Sequence, residues 1–72
     1  MFSQKKFSDR IKLLRSAHKV PQTVLAELLG VTRTQISDLE NGKTTTSIER
    51  LIVLADYFNV SLDYLVGRSD TP

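Results

Sequence analysis

The stretch QTVLAELLGVTRTQISDLENGK, Gln22 to Lys43, carries the apolar spacing of an amphipathic helix and a break across its middle. Leu25, Leu28 and Leu29, then Ile36 and Leu39, recur at intervals of three and four, the period of one helical face. Gly30-Val31-Thr32 interrupts them. Gly30 can take the left-handed backbone that closes a helix, and the Thr32 hydroxyl can accept from the free N–H groups that open the next one. Two short helices joined by a three-residue turn must cross. Ala26 is small enough for a close crossing, Val31 can plug the turn into the core, and Ile36 and Leu39 anchor the second helix from beneath. Arg33, Thr34, Ser37, Asp38 and Asn41 are left on its outer or flanking positions, with Gln35 at the edge.

The rest of the chain reads as helices of the same kind, and no strand is expected. Phe7, Ile11 and Leu14 mark a buried stripe on a first helix, roughly Gln4–His18, with Ser3 as its N-cap. Pro21 suits the start of the second helix, Gln22–Leu29, where its missing N–H has no partner to lose. The third helix begins after Thr32 and ends at Asn41-Gly42. A polar loop, KTTT, leads to Ser47 as the cap of a fourth helix, Ile48–Phe58, which buries Leu51, Leu54, Ala55 and Phe58. Glu49 in its first turn suits the helix dipole. Ser61 caps a brief fifth helix holding Leu62 and Leu65, and Gly67 ends it. The expected architecture is all-α: one compact five-helix domain over residues 1–67, with 68–72 (RSDTP) as a frayed tail or linker stub.

A chain of 72 residues has room for one small core. It has no cysteine, so neither a disulfide nor a thiolate-bound zinc can staple that core. The start lacks a signal-peptide apolar region, and no apolar run is long enough to cross a bilayer, so a cytoplasmic location is expected. The net charge is only +2, but residues 1–19 hold Lys5, Lys6, Arg10, Lys12, Arg15 and Lys19 against the single acid Asp9. Two readings of that segment stand: a polyanion partner, or a solvated helix face. His18 is the sole histidine and suits a capping or surface role at the end of the first helix. No carboxylate pair, Gly-rich phosphate loop or metal-ligand cluster has the spacing that chemistry needs. Neither enzyme activity nor a cofactor is expected.

A Gly-containing turn between two short helices is the helix-turn-helix arrangement. Gln22, Leu25-Ala26, Leu29-Gly30-Val31, Ile36-Ser37 and Glu40-Asn41-Gly42-Lys43, followed by SIERLIVLADYFNVSLDYLVG, resemble the DNA-binding domain of the lambda-repressor/Cro family, also called Xre, from about Phe7 to Gly67. The resemblance implies a five-helix transcriptional regulator, most often a repressor, that binds a palindromic double-stranded operator as a homodimer. It implies that Arg33, Thr34 and Asp38 face base edges with Ser37 beside them, and that Gln22, Gln35, Asn41 and Lys43 meet the sugar-phosphate backbone. The chemistry suits these roles: Arg grips guanine O6 and N7 with two donors, and Thr offers a methyl to thymine and a hydroxyl. It further implies an ion pair between Arg15 and Glu40, each next to a core leucine.

Three departures stand out. Pro21 replaces the family's Ser or Thr cap. Asp38 brings negative charge to the reading face. Leu13, Val24 and Leu28 occupy positions often polar in the family, either to thicken a small core or to offer a partner surface, the former being preferred. Val53, Tyr57 and Tyr64, on the fourth and fifth helices, are the dimer-interface candidates. With Val66 they also support a rival function: a protein-interaction module, such as an antitoxin or regulator, whose main partner is another protein.

Overall fold

The computed structural model describes residues 2–72, so Met1 of the expected domain lies outside the described residues. Five helices and no strand are found among them: α1 (Gln4–Ala17), α2 (Gln22–Leu29), α3 (Arg33–Glu40), α4 (Ile48–Phe58) and α5 (Leu62–Leu65). Ser3, Thr32, Ser47 and Ser61 each accept from a backbone N–H of the helix they open. α2 has no such bond, because Pro21 stands at its cap position without a side-chain acceptor.

All five helices end in the same way. A residue with positive φ, among Lys19, Gly30, Gly42, Asn59 and Gly67, donates to the carbonyl three residues back, and the following residue donates five back. This is the Schellman termination, which satisfies two carbonyls that the helix leaves unpaired. α1 stops at Ala17 with His18 as its C-cap, one residue short of the expected end. The His18 ring packs on Phe58, 5.3 Å between centroids, and so joins the end of α1 to α4.

Phe7, Ile11, Leu25, Ile36, Leu54 and Leu65 form the fully buried centre, so every helix sends at least one side chain into one core. α3 packs against α1 and α2, while α5 packs against α1 and α4. α3 therefore bridges α2 to α1, and α5 bridges α1 to α4.

Three expectations are corrected. Leu13, Val24 and Leu28 do not thicken the core: they are 59%, 37% and 39% exposed. Leu28 follows the helical period, yet α2 is short enough to be filled by Leu25, Ala26 and Leu29 alone. Val66, by contrast, is buried and belongs to the core rather than to a leftover surface. Residues 68–72 are not frayed. The Arg10 guanidinium stacks over the Tyr64 ring at 4.2 Å. It donates to the carbonyls of Tyr64 and Ser69 and, at 2.7 Å, to the Asp70 carboxylate. Ser61 N–H donates to the Pro72 carbonyl at 2.9 Å, closing the segment back onto the start of α5.

Candidate nucleic-acid interface

α3 is gripped at both ends. At its start, the Thr32 hydroxyl accepts from the Gln35 N–H at 3.2 Å, and the Gln35 side-chain oxygen accepts from the Thr32 N–H at 2.9 Å. The reciprocal box satisfies two donors that would otherwise lack partners. Gln35 thus commits its side-chain carbonyl to the helix start and leaves its NH₂ free. From beneath, Ile36, Leu39 and Glu40 are buried.

At its end, the buried Glu40 carboxylate takes Arg15 in a two-pronged grip, Nε to Oε2 at 2.5 Å and Nη2 to Oε1 at 3.0 Å. The hydrogen bond to Glu40, aided by its charge, raises the Arg15 pKa above its ordinary value, while burial works against it. Charge-assisted bidentate pairs of this kind fix geometry as well as contributing energy. Glu40 Oε1 also accepts from the Gln22 amide at 3.1 Å. A carboxylate can only accept, so the Gln22 nitrogen must face Glu40 and its oxygen must face away. That oxygen accepts from Arg33 Nη1 at 3.4 Å. One glutamine thereby touches the first and last residues of α3.

The outward face is different. Arg33, Thr34, Gln35, Asn41 and Lys43 are exposed, and Ser37 and Asp38 are half-buried. The Asn41 amide donates to the Ser37 hydroxyl at 3.3 Å, tying two of them together. Asp38 lines a polar groove with Gln35, Thr44–Thr46, Ser47 and Arg50, and has no ion-pair partner within 4.0 Å among the described residues. Gln22 stands beside Arg33, and Lys43 follows the turn at Gly42, so the structure gathers these side chains on and around one short helix. Arg15 and Glu40 lie behind it.

Four of the six cations of the basic leading segment have carboxylate partners within the fold. Lys5 pairs with Asp9, Lys6 and Arg10 with Asp70, and Arg15 with Glu40. Lys12 and Lys19 alone among its six cations have no carboxylate within 4.0 Å among the described residues. Sequence reasoning missed the link from Gln22 to Glu40, which joins residues 18 apart and leaves no trace in periodicity. It also missed Ile48 and Ile52, which are 57% and 46% exposed on α4. Their helix positions, outside the stripe of Leu51, Leu54, Ala55 and Phe58, were signal enough.

Residues 11–65 match the family described as Helix-turn-helix. An uncharacterized HTH-type transcriptional regulator of Bacillus subtilis, YobD, is 32% identical over 66 residues, which are 92% of this chain and 59% of the relative. The antitoxin PezA of Streptococcus pneumoniae is 37% identical over 58 residues, 81% of this chain and 37% of the relative. The chain thus spans about three-fifths of one and just over a third of the other. The P22 c2 repressor, solved in complex with a synthetic operator, superposes with a TM-score of 0.79 at 30% identity, covering 88% of this chain and 96% of that one. No helix of the described residues is long and apolar enough to cross a membrane. The chain belongs to the helix-turn-helix family of lambda-repressor/Cro type, a family of DNA-binding transcriptional regulators.

Proposed function

We propose that this chain is a repressor that binds a two-fold operator as a dimer, with α3 of each copy in a major groove. The observation that carries the reading is the asymmetry of α3. Its inner side is held by buried leucine, isoleucine and a bidentate ion pair, and its outer side presents a run of hydrogen-bonding groups. A rigid helix of this kind fits the groove and reads donor and acceptor patterns there.

Arg33, Thr34, Ser37 and Asp38 are assigned to base edges. Asp38 suits only a donor such as cytosine N4, because its charge repels phosphates. The free Gln35 amide, Asn41 and Lys43 are assigned to the backbone. Gln22 has one remaining N–H for a phosphate and otherwise steadies Arg33.

One recognition helix spans too few base pairs to single out a site, and two copies must place theirs about 34 Å apart. Val53 and Tyr57, 39% and 44% exposed, supply the face between copies. Tyr64 supports it from behind, since its ring is half-buried under Arg10. Sedimentation of the saturated complex on a selected operator is expected to give two chains per duplex; one chain per duplex contradicts the dimer.

The second reading, a module whose main partner is a protein, is favoured by Ile48 and Ile52 on α4 and by the likeness to PezA. It requires negligible affinity for duplex DNA, so a salt-dependent DNA titration separates the two.

A further inference from the structure

Among the five identical helix terminations, one has the wrong residue for its backbone. Gly30, Gly42 and Gly67 occupy three of the left-handed positions and Asn59 a fourth, the residue types that tolerate positive φ. The fifth is Lys19, with φ 56°. Its N–H donates to Ser16 and the next N–H to Arg15, so the geometry of the turn is the same as in the other four. A lysine there is strained where glycine would not be.

Helix stability does not account for it. A cation does suit a helix C-terminus, but Arg15 already stands in the last turn of α1 without a left-handed backbone. None of the other four turns places a cation at its left-handed position.

The turn leads towards α3, which the turns at Gly30 and Gly42 also border. Gln22, three residues on, bonds to both ends of α3. Lys19 therefore stands within about 11 Å, along the chain, of the residue that ties both ends of α3 together. Its side chain is exposed and has no carboxylate within 4.0 Å among the described residues, unlike Lys5, Lys6, Arg10 and Arg15. A compact charge on a flexible stem suits a phosphate, which requires reach rather than shape.

We propose that Lys19 is a DNA-backbone contact, a phosphate clamp at the entry to α2, kept in a strained conformation for its charge. The proposal rests on the DNA-binding reading above and extends the interface to the α1–α2 turn.

The test measures binding of the full chain to a mixed-sequence duplex from 50 to 200 mM salt, for the parent, Lys19→Asn, Lys19→Arg and Arg68→Gln. Asn tolerates the left-handed backbone and removes the charge. Arg68→Gln removes one charge from the turn after α5, which packs on α1 and α4 rather than on α3. Lys19→Asn is expected to melt no lower than the parent. Its salt slope should be shallower by about 0.9 per bound chain, so the parent loses about 3.5-fold more affinity than the variant across that range. Lys19→Arg should restore the slope, and Arg68→Gln should leave it unchanged. If Lys19→Asn and Arg68→Gln have the same slope, or if Lys19→Asn melts lower with binding intact, the clamp is overturned while the DNA reading stands. A parent chain with no salt-dependent binding removes the reading and the clamp together.

Discussion

α1 and α3 invert the usual expectation about charge. Residues 1–19, which include α1, hold six basic side chains, yet four of them pair with three carboxylates of the same fold. Lys5 pairs with Asp9 across an i, i+4 step, Lys6 and Arg10 with a shared Asp70, and Arg15 with Glu40. α3 and its flanks carry few charges, yet leave their polar groups facing solvent. A count of residues by sign therefore points to α1, whereas the proposed interface lies on α3. Availability, not density, marks an interface: a cation held by a carboxylate has little left to give a phosphate.

The same comparison separates the ion pairs themselves. Arg15–Glu40 is largely buried, with side chains 21% and 3% exposed, whereas Lys5–Asp9 lies open at 86% and 60%. The largest expected effect is at the first pair. Arg15→Met strands the Glu40 charge in the interior and should cost about 3–5 kcal/mol in denaturant unfolding. A double-mutant cycle with Glu40→Gln should show coupling above about 1 kcal/mol; additivity would mean that the pair does not join α1 to α3. At the other end of the scale, a cycle on Lys5 and Asp9 should give about 0.3–0.5 kcal/mol, vanishing in high salt. A coupling there as large as the buried one would undo the distinction between the two pairs.

Much of the fold was legible in the sequence because it is written locally. Thr32, Ser47 and Ser61 announce helix starts by chemistry that acts over three residues, and Gly42 and Gly67 announce ends the same way. The break at Gly30 needed nothing more than its neighbours. What was illegible depends on distant partners. Arg10 looks like one more surface cation until Tyr64, Ser69 and Asp70, more than fifty residues away, close around it. That closure turns an expected frayed tail into a packed segment. Leu13, Val24 and Leu28 failed for a related reason: periodicity says which residues share a face, and only the neighbouring helices decide how wide the covered part is. At the interface, the residue types around α3 were readable, whereas the double engagement of Gln22 was not. Lys19 had a local signal, a missing glycine just beyond a helix end, but nothing in the pattern says why.

The central claim is that α3 reads bases and its surroundings hold the backbone. Its most direct test is binding of the Arg33→Ala chain across a panel of single-base variants of a selected operator, with Lys43→Ala alongside. Arg33 lies in the first turn of α3, steadied by Gln22, and its planar fork distinguishes guanine from adenine. Arg33→Ala should cost roughly 1–3 kcal/mol at the best site and flatten discrimination at one base pair in each half-site. Lys43→Ala should weaken every sequence about equally and reduce the salt slope by roughly one per chain. If Arg33→Ala instead lowers all affinities by one common factor, Arg33 rests on a phosphate and α3 does not read through it.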